Sequence, residues 1–370
     1  MQSIDRVRGA DNDMSTLVYL RTVAGTNPRR LRGGRPHTRE RTLVLKYLLR
    51  RLVNYVVLLF IAVSLAYLVA SAALDPRNAF DRTNPKLNWD SVNATLTDYN
   101  INPDTSIWTR YVRWLEMVFG HWNWGWTPHG ESINALLGTR IGVSIRLVTI
   151  GAIIGMAGGV AVGAWCAVRQ YKAGDRIVSF ICLLLISTPT MVLAVLLQMG
   201  GTAFNQATGT AFFQFIGETG AHGDYFGAEL LSRMQHLLLP TISMSALSLA
   251  SYSRYQRNLM LDTLGADYVR TARAKGLRKG RAVKHHALRN AIIPMATYFA
   301  FGVALIFTGA AVTEQVYAWN GMGSYSVTSI QQQDINGTVA VVAFSGACTL
   351  TGALLSDLLI AIIDPRVRAR

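Results

Sequence analysis

The apolar residues of this chain are gathered into runs of about the 20 residues that an α-helix needs to cross some 30 Å of hydrocarbon. Six such runs stand out, at 52–74, 143–168, 177–201, 237–252, 292–313 and 339–363. The fourth is the shortest and reads as continuing past Arg254 in a helix that leaves the membrane. Composition agrees: 51% of residues are hydrophobic and 15% charged, against roughly 25% charged in an average soluble domain. The fold class expected is all-α and integral to the membrane, with six spans. Ala70-Ser71-Ala72 resembles a signal-peptide cleavage site, but the apolar stretch is too long and too far from the start, so an uncleaved first span is expected.

A net charge of +15 raises the question of nucleic acid, and the placement of the charges answers it. The segment before the first run carries 12 Lys and Arg, the loops after the second and fourth runs carry 3 and 10, and the C-terminal tail carries 3. The other three loops carry 6, 1 and none. Basic residues therefore alternate with the spans instead of forming a basic face on a soluble module, so no nucleic-acid partner is expected. The excess of positive charge on one side places both termini in the cytoplasm. Residues 1–42 are Arg-, Gly- and Thr-rich without apolar periodicity and read as a disordered basic extension. Residues 43–141 form the first span and a long external segment, and 142–370 a five-helix core. In the external segment Trp108, Trp114, Trp122, Trp124 and Trp126 point to a helix over 108–119 lying on the outer surface.

Catalytic signatures are absent from the sequence: no phosphate cradle of the Gly-x-x-x-x-Gly-Lys-Ser/Thr type, no strand-borne Gly-x-Gly-x-x-Gly and no His-Glu-x-x-His occurs. The chain is therefore not expected to be an enzyme or to bind a cofactor or metal directly, and uphill transport would need an outside energy source. His285-His286 reads as a solvated pair, because adjacent helical residues point about 100° apart. Gly151, Gly155, Gly159 and Gly163 make one flat stripe on the second span, suited to close helix packing; static packing explains it as simply as a moving gate. Arg146 and Asp357 are the charges within the runs, near their ends, where an interface is in reach. That weakens the reading of an ion-coupled secondary transporter or channel working without an ATPase.

The loop after the fourth run is the most informative stretch. Between residues 266 and 276 a short helix is expected with Gly265, Val269, Ala272 and Gly276 on one small face and Arg270, Arg273, Lys275 and Arg278 on the others. Such a helix suits a groove with an acidic rim on a soluble partner. A loop that is basic only to set orientation fits the same residues, and the spacing leaves both readings open.

The wording of that loop resembles a known family. Arg270-Thr271-Ala272-x-x-x-Gly276 is similar to the coupling motif of binding-protein-dependent ABC importer permeases. With Tyr268, Lys275 and Leu277, and with the following Arg289-Asn290 and Pro294, it resembles the dipeptide/oligopeptide/nickel branch of that family. Glu314, Trp319, Gly321 and Gly323 fall in a stretch similar to its external Glu-x-x-Phe-x-x-Pro-Gly-Leu-Gly segment, with Asn320 in place of Pro. Asp357 and Asp364-Pro365-Arg366 match its carboxyl end. The resemblance implies a type I ABC importer permease in a bacterial inner membrane. A second homologous permease would complete the path, and two ABC ATPase subunits holding ATP and Mg²⁺ would grip the coupling helices. An extracellular solute-binding protein would deliver a peptide-like substrate.

Overall fold

A computed structural model describes residues 36–220 and 227–363, and these fold almost wholly into helices. In chain order they are α1 (Pro36–Ala73), α2 (Trp89–Asp98), α3 (Ile107–His121), α4 (Ile133–Val168), α5 (Ala173–Ser187), α6 (Thr190–Thr208) and α7 (Ala228–Leu264). They continue as α8 (Asp267–Ala274), α9 (Lys279–Ala282), α10 (Arg289–Val316), α11 (Met322–Gln331) and α12 (Ile335–Ile363). Of the expected disordered extension, residues 1–35 lie outside the described residues, as does Asp364-Pro365-Arg366 at the other end, while residues 36–42 instead open α1 as helix. The chain divides into two compact units, Met1–Tyr47 and Leu48–Arg370; all the contacts that follow lie within the second.

The expected spans meet the structure unevenly. By length and apolarity Leu49–Ala73, Ile133–Val168 and Ile335–Leu355 qualify singly among the described residues. The expected third span is not one straight helix: α5 and α6 meet at a bend of 110°. Thr188 is extended there, as a residue preceding proline prefers, and Pro189 has no N–H with which to continue the helix. The helices α7 and α10 occupy the fourth and fifth expected positions. In α7 the helix does run on past Arg254, reaching Leu264. Six crossings thus remain an expectation, of which length and composition support at most four.

The tightest packing is between α4 and α7, and the glycine stripe causes it. A Cβ on Gly155 would lie 2.7 Å from Cβ of Ser248, and one on Gly159 2.5 Å from Cβ of Tyr252 and 3.0 Å from the Leu249 carbonyl. Gly151 abuts Met244, and Gly163 lies against Gln256 and the Ser253 carbonyl. The four glycines therefore serve one contact along the length of α7. In hydrocarbon, where water expulsion does not drive helices together, such backbone-to-backbone approach is the main source of association.

Buried side chains gather around this pair. Leu147, Val148, Ala194, Leu239, Met244, Ala310, Tyr317 and Trp319 form a central cluster. Val63, Tyr67, Trp114, Val118, Ile335 and Val339 form another, at the end of the bundle away from the basic loops. The helix expected over 108–119 is present as α3, but it is not free on a surface: Arg110, Trp114 and Val118 are buried against its own chain. Of the two charges inside the runs, Asp357 pairs with Arg51 of α1, and Arg146 with Glu218 in the loop after α6.

Alanine at Gly159 is expected to lower stability by about 1–3 kcal/mol, the usual cost of overpacking. Gly138 on the same helix has nothing within 4 Å of a would-be Cβ, so Gly138→Ala should leave stability unchanged or raise it by up to about 1 kcal/mol. Thermal unfolding of both variants in detergent checks the contrast.

Candidate functional site

Past the end of α7 the chain turns at Gly265 and enters α8, the helix that the sequence singled out. Val269 on α8 is buried, and it packs with Ala167, Met260, Ala282, Ala287 and Ala291. Ala272 is half-buried, and Leu277 packs on the same cluster. This corrects the expectation that Gly265, Val269, Ala272 and Gly276 form a small face offered to a partner. The small residues let α8 nest on its own chain, and the two glycines sit exposed beyond its ends. What α8 presents outward is a crest of Tyr268, Arg270, Thr271, Arg273 and Lys275, all exposed. Arg270 has Asp267 at 4.0 Å, one turn away and itself fully exposed.

The Ala272-x-x-x-Gly276-Leu277 wording has a local explanation. The N–H of Leu277 donates to the Ala272 carbonyl at 3.2 Å and that of Gly276 to the Arg273 carbonyl at 3.0 Å, the paired bonds of a Schellman helix end. Gly276 takes φ +90° to make them, with nothing within 4 Å of a would-be Cβ. Its requirement is conformational, not a matter of space. Beyond it, α9 leads through a π-helical turn, Val283–Leu288, into α10. His285 and His286 are exposed on that turn, and Arg289, Asn290 and Pro294 are exposed on the first turns of α10. Pro294 withholds the N–H that the Asn290 carbonyl would otherwise accept.

A buried ion pair, which sequence reasoning missed, ties this end together. Arg257 of α7 donates through Nε to Oδ1 of Asp175 and through Nη2 to Oδ2, both at 2.8 Å, while the Tyr171 N–H donates to Oδ2 at 2.9 Å. The Asp175 side chain is 3% exposed and that of Arg257 22%. The guanidinium bonds, foremost, and the Tyr171 N–H hold the Asp175 carboxyl below the usual carboxylate range, outweighing the opposing effect of burial. Asp175 stands in the first turn of α5, so the pair locks the bent α5–α6 element to the helix that carries α8.

At the other end of α10 the second group of sequence-marked residues assembles around Glu314. This carboxylate is buried, accepting from Ser144 Oγ at 2.6 Å and from the Ser324 N–H at 2.8 Å. The Met322 N–H donates to Ser144 Oγ at 2.7 Å. Glu314 and Ser144 together satisfy the open N–H groups of α11, where a negative charge is favoured. A side chain on Gly321 would overlap the Glu314 carboxylate, and one on Gly323 would lie 2.6 Å from Cα of Ala311. Trp319 is buried in the central cluster, its backbone N–H donating to the Glu314 carbonyl at 2.7 Å. Glu314, Trp319, Gly321 and Gly323 thus build one structural knot. The 25 residues between Arg289 and Glu314 span about 38 Å of helix, so the knot and α8 are not one site.

Two measurements test this geometry. Gly276→Ala is expected to cost about 1–2 kcal/mol of stability by forcing a side chain into the left-handed region, and Gly276→Asn less, as read by thermal unfolding. For Asp175, the carboxyl is held low in the folded state, so its contribution is complete above about pH 4 and fades as pH falls through the lower folded value. Asp175→Asn should therefore destabilise the protein at pH 7, and the difference from the parent should shrink as pH is lowered below about 4, as followed by denaturant titration across that range.

Comparison with known proteins places this geometry in a family. Residues 159–369 match the family of binding-protein-dependent transport system inner membrane components. The chain is 44% identical over 325 residues to the oligopeptide transport system permease protein OppB of Mycobacterium tuberculosis, covering 87% of this chain and 99% of that one. It is 28% identical over 331 residues to the oligopeptide permease AppB of Bacillus subtilis, covering 87% and 98%. To the dipeptide permease DppB of Lactococcus lactis it is 28% identical over 326 residues, covering 88% and 100%. A multi-pass helical bundle with these residues and this breadth of similarity belongs to the binding-protein-dependent transport system inner membrane components, the permeases of peptide ABC transporters.

Proposed function

We propose that this chain is the permease through which an ATP-driven importer moves di- or oligopeptides, with α8 as the contact to its motor. The observation that carries the reading is the seat of α8: a cationic crest exposed on a helix whose inner face is anchored by Val269 and Leu277. A push on Tyr268, Arg270, Thr271 or Lys275 is delivered to the cluster of Met260, Ala167 and Ala291. These lie on α7, α4 and α10 respectively. Asp175 and Arg257 carry the same displacement into the bent α5–α6 pair.

In this reading a second, homologous permease completes the path. Two cytoplasmic ATPase subunits bind ATP and Mg²⁺ and grip one coupling helix each, and an extracellular solute-binding protein supplies peptide at the opposite face. Both termini lie in the cytoplasm, on the side of the basic loops. Closure of the ATPase pair moves the coupling helices as rigid bodies, and ATP shifts the path between inward and outward access by binding one global state better than the other. The positive crest suits an acidic rim on the ATPase. The names of the relatives support peptide as the substrate class.

The paired change Arg270→Glu and Lys275→Glu tests the coupling role, since both side chains are exposed and neither holds the fold. Reconstituted with its partners in liposomes, the variant should lose at least tenfold of peptide uptake and of peptide-stimulated ATP hydrolysis while inserting in normal amounts. Normal stimulation would remove α8 from the coupling role. Peptide uptake by liposomes holding this chain alone under an ion gradient, without ATP, would replace the reading with a secondary transporter.

A further inference from the structure

Between α1 and α4 the chain forms a segment expected to be wholly outside the membrane, yet α3 packs lengthwise along the outer half of α1. Arg110 Nη2 reaches the Ser71 carbonyl at 3.5 Å, and the Tyr111 hydroxyl donates to Ser64 Oγ at 2.8 Å. The Trp114 ring lies 4.9 Å from that of Tyr67, and the Phe119 ring 6.0 Å from that of Phe60. From Arg110 to Phe119 the partners on α1 shift overall from Ser71 to Phe60, with Tyr111 and Ser64 out of strict order. Eleven residues of α1 are about 16 Å, half the thickness of a bilayer's hydrocarbon, and Leu49–Ala73 is itself a membrane-crossing stretch.

The sides of α3 are sorted to match. Arg110, Trp114 and Val118 face inward. About 100° of rotation per residue puts Trp108, Val112 and Phe119 on one outer stripe, 67%, 63% and 71% exposed; Leu115, between them, is half-buried against the inner cluster. Through Phe119 and Phe60 this stripe is continuous with the exposed face of α1, where Val56, Val57, Phe60 and Ile61 stand open. Thr109, Arg113, Glu116 and Gly120 occupy the remaining side.

The N–H groups of the turn that follows α3 meet an independent requirement. Non-helical backbone is tolerated at membrane depth only where its polar groups are satisfied internally. The Trp122 and Asn123 N–H groups donate to the Val118 and Met117 carbonyls at 3.1 and 3.0 Å. The Trp124 N–H donates to Asn134 Oδ1 at 2.9 Å and that of Gly125 to Asn123 Oδ1 at 3.0 Å. The Trp122 carbonyl accepts from Asn134 Nδ2 at 2.6 Å, that of Gly125 from the Ile133 N–H at 3.0 Å, and that of Trp126 from Asn336 Nδ2 at 3.0 Å. Four consecutive N–H groups outside a helix interior are all paired within the protein.

The geometry points to α3 as a helix that dips into the leaflet opposite the basic loops, with lipid hydrocarbon on the stripe of Trp108, Val112 and Phe119. The Thr109–Gly120 side, with Arg113 and Glu116, is turned away from lipid. The inference rests on α1 being a membrane span and is independent of substrate and of motor.

Spin labels on Val112→Cys, Phe119→Cys and Glu116→Cys test it, with the three native cysteines replaced, in the full-length chain and the complex it purifies with, in lipid nanodiscs. Collision with oxygen against a water-soluble nickel chelate reads depth. The label at 119 should be rich in oxygen contacts and poor in nickel, and about 10 Å deeper than that at 112, as seven helical residues require. The label at 116 should meet nickel more readily than that at 119. Equal shallow depths at 112 and 119 would mean a helix lying flat and would overturn the proposal. Shelter of both from oxygen and nickel would mean that a protein covers the stripe, and would overturn it as well. Because transport is not measured, the outcome is separable from that of the coupling experiment.

Discussion

The close approach of α4 and α7 is the constraint on which the rest of the structure depends. Glycine at 155, 159 and 163 brings the two backbones nearer than any side chain permits, and α7 is thereby held as one rod of 37 residues. Everything at the basic end hangs from that rod: Arg257 grips Asp175, Met260 floors the seat of α8, and the chain turns into α8 a few residues later. A looser contact would leave α8 on a mobile arm.

The two sequence-marked regions solve the same problem of open helix ends in different ways. At the basic end, α8 closes itself with the Leu277 and Gly276 N–H bonds to its own carbonyls, which needs only a glycine able to adopt positive φ. At the far end, α11 begins within the buried knot and has no water to satisfy its first N–H groups. A carboxylate from α10 and a hydroxyl from α4 are brought to them instead, and Gly321 and Gly323 are the residues small enough to admit that approach. Arg289 and Glu314 therefore stand at opposite ends of one helix with separate tasks, although the sequence marks both with similar clarity.

How far the chain could be read in advance depends on the range of the physics involved. The all-helical character, the close packing at Gly151 to Gly163 and the presence of helices at 267–274 and 107–121 follow from local period and composition. The bend at Thr188-Pro189 was also written locally, in the proline, and was passed over because the apolar run continues through it. The direction of the α8 small face was misjudged for another reason: period reveals that Val269 and Ala272 share a side, but not whether that side meets its own chain or a partner.

By itself the sequence determined that the chain is a helical membrane protein, because about 20-residue apolar runs act through hydrophobic transfer, which needs no partner residue; the permease reading came from the wording of residues 268–277 and its resemblance to a family. Only the tertiary structure decided the pairings of Asp175 with Arg257, Ser144 with Glu314 and Arg51 with Asp357, and the packing of α3 against α1. Those members are separated by 82, 170 and 306 positions, and no local periodicity records which of many buried polar groups will meet. A charge or hydroxyl taken out of water must find a partner, and which partner it finds is settled by how the helices pack.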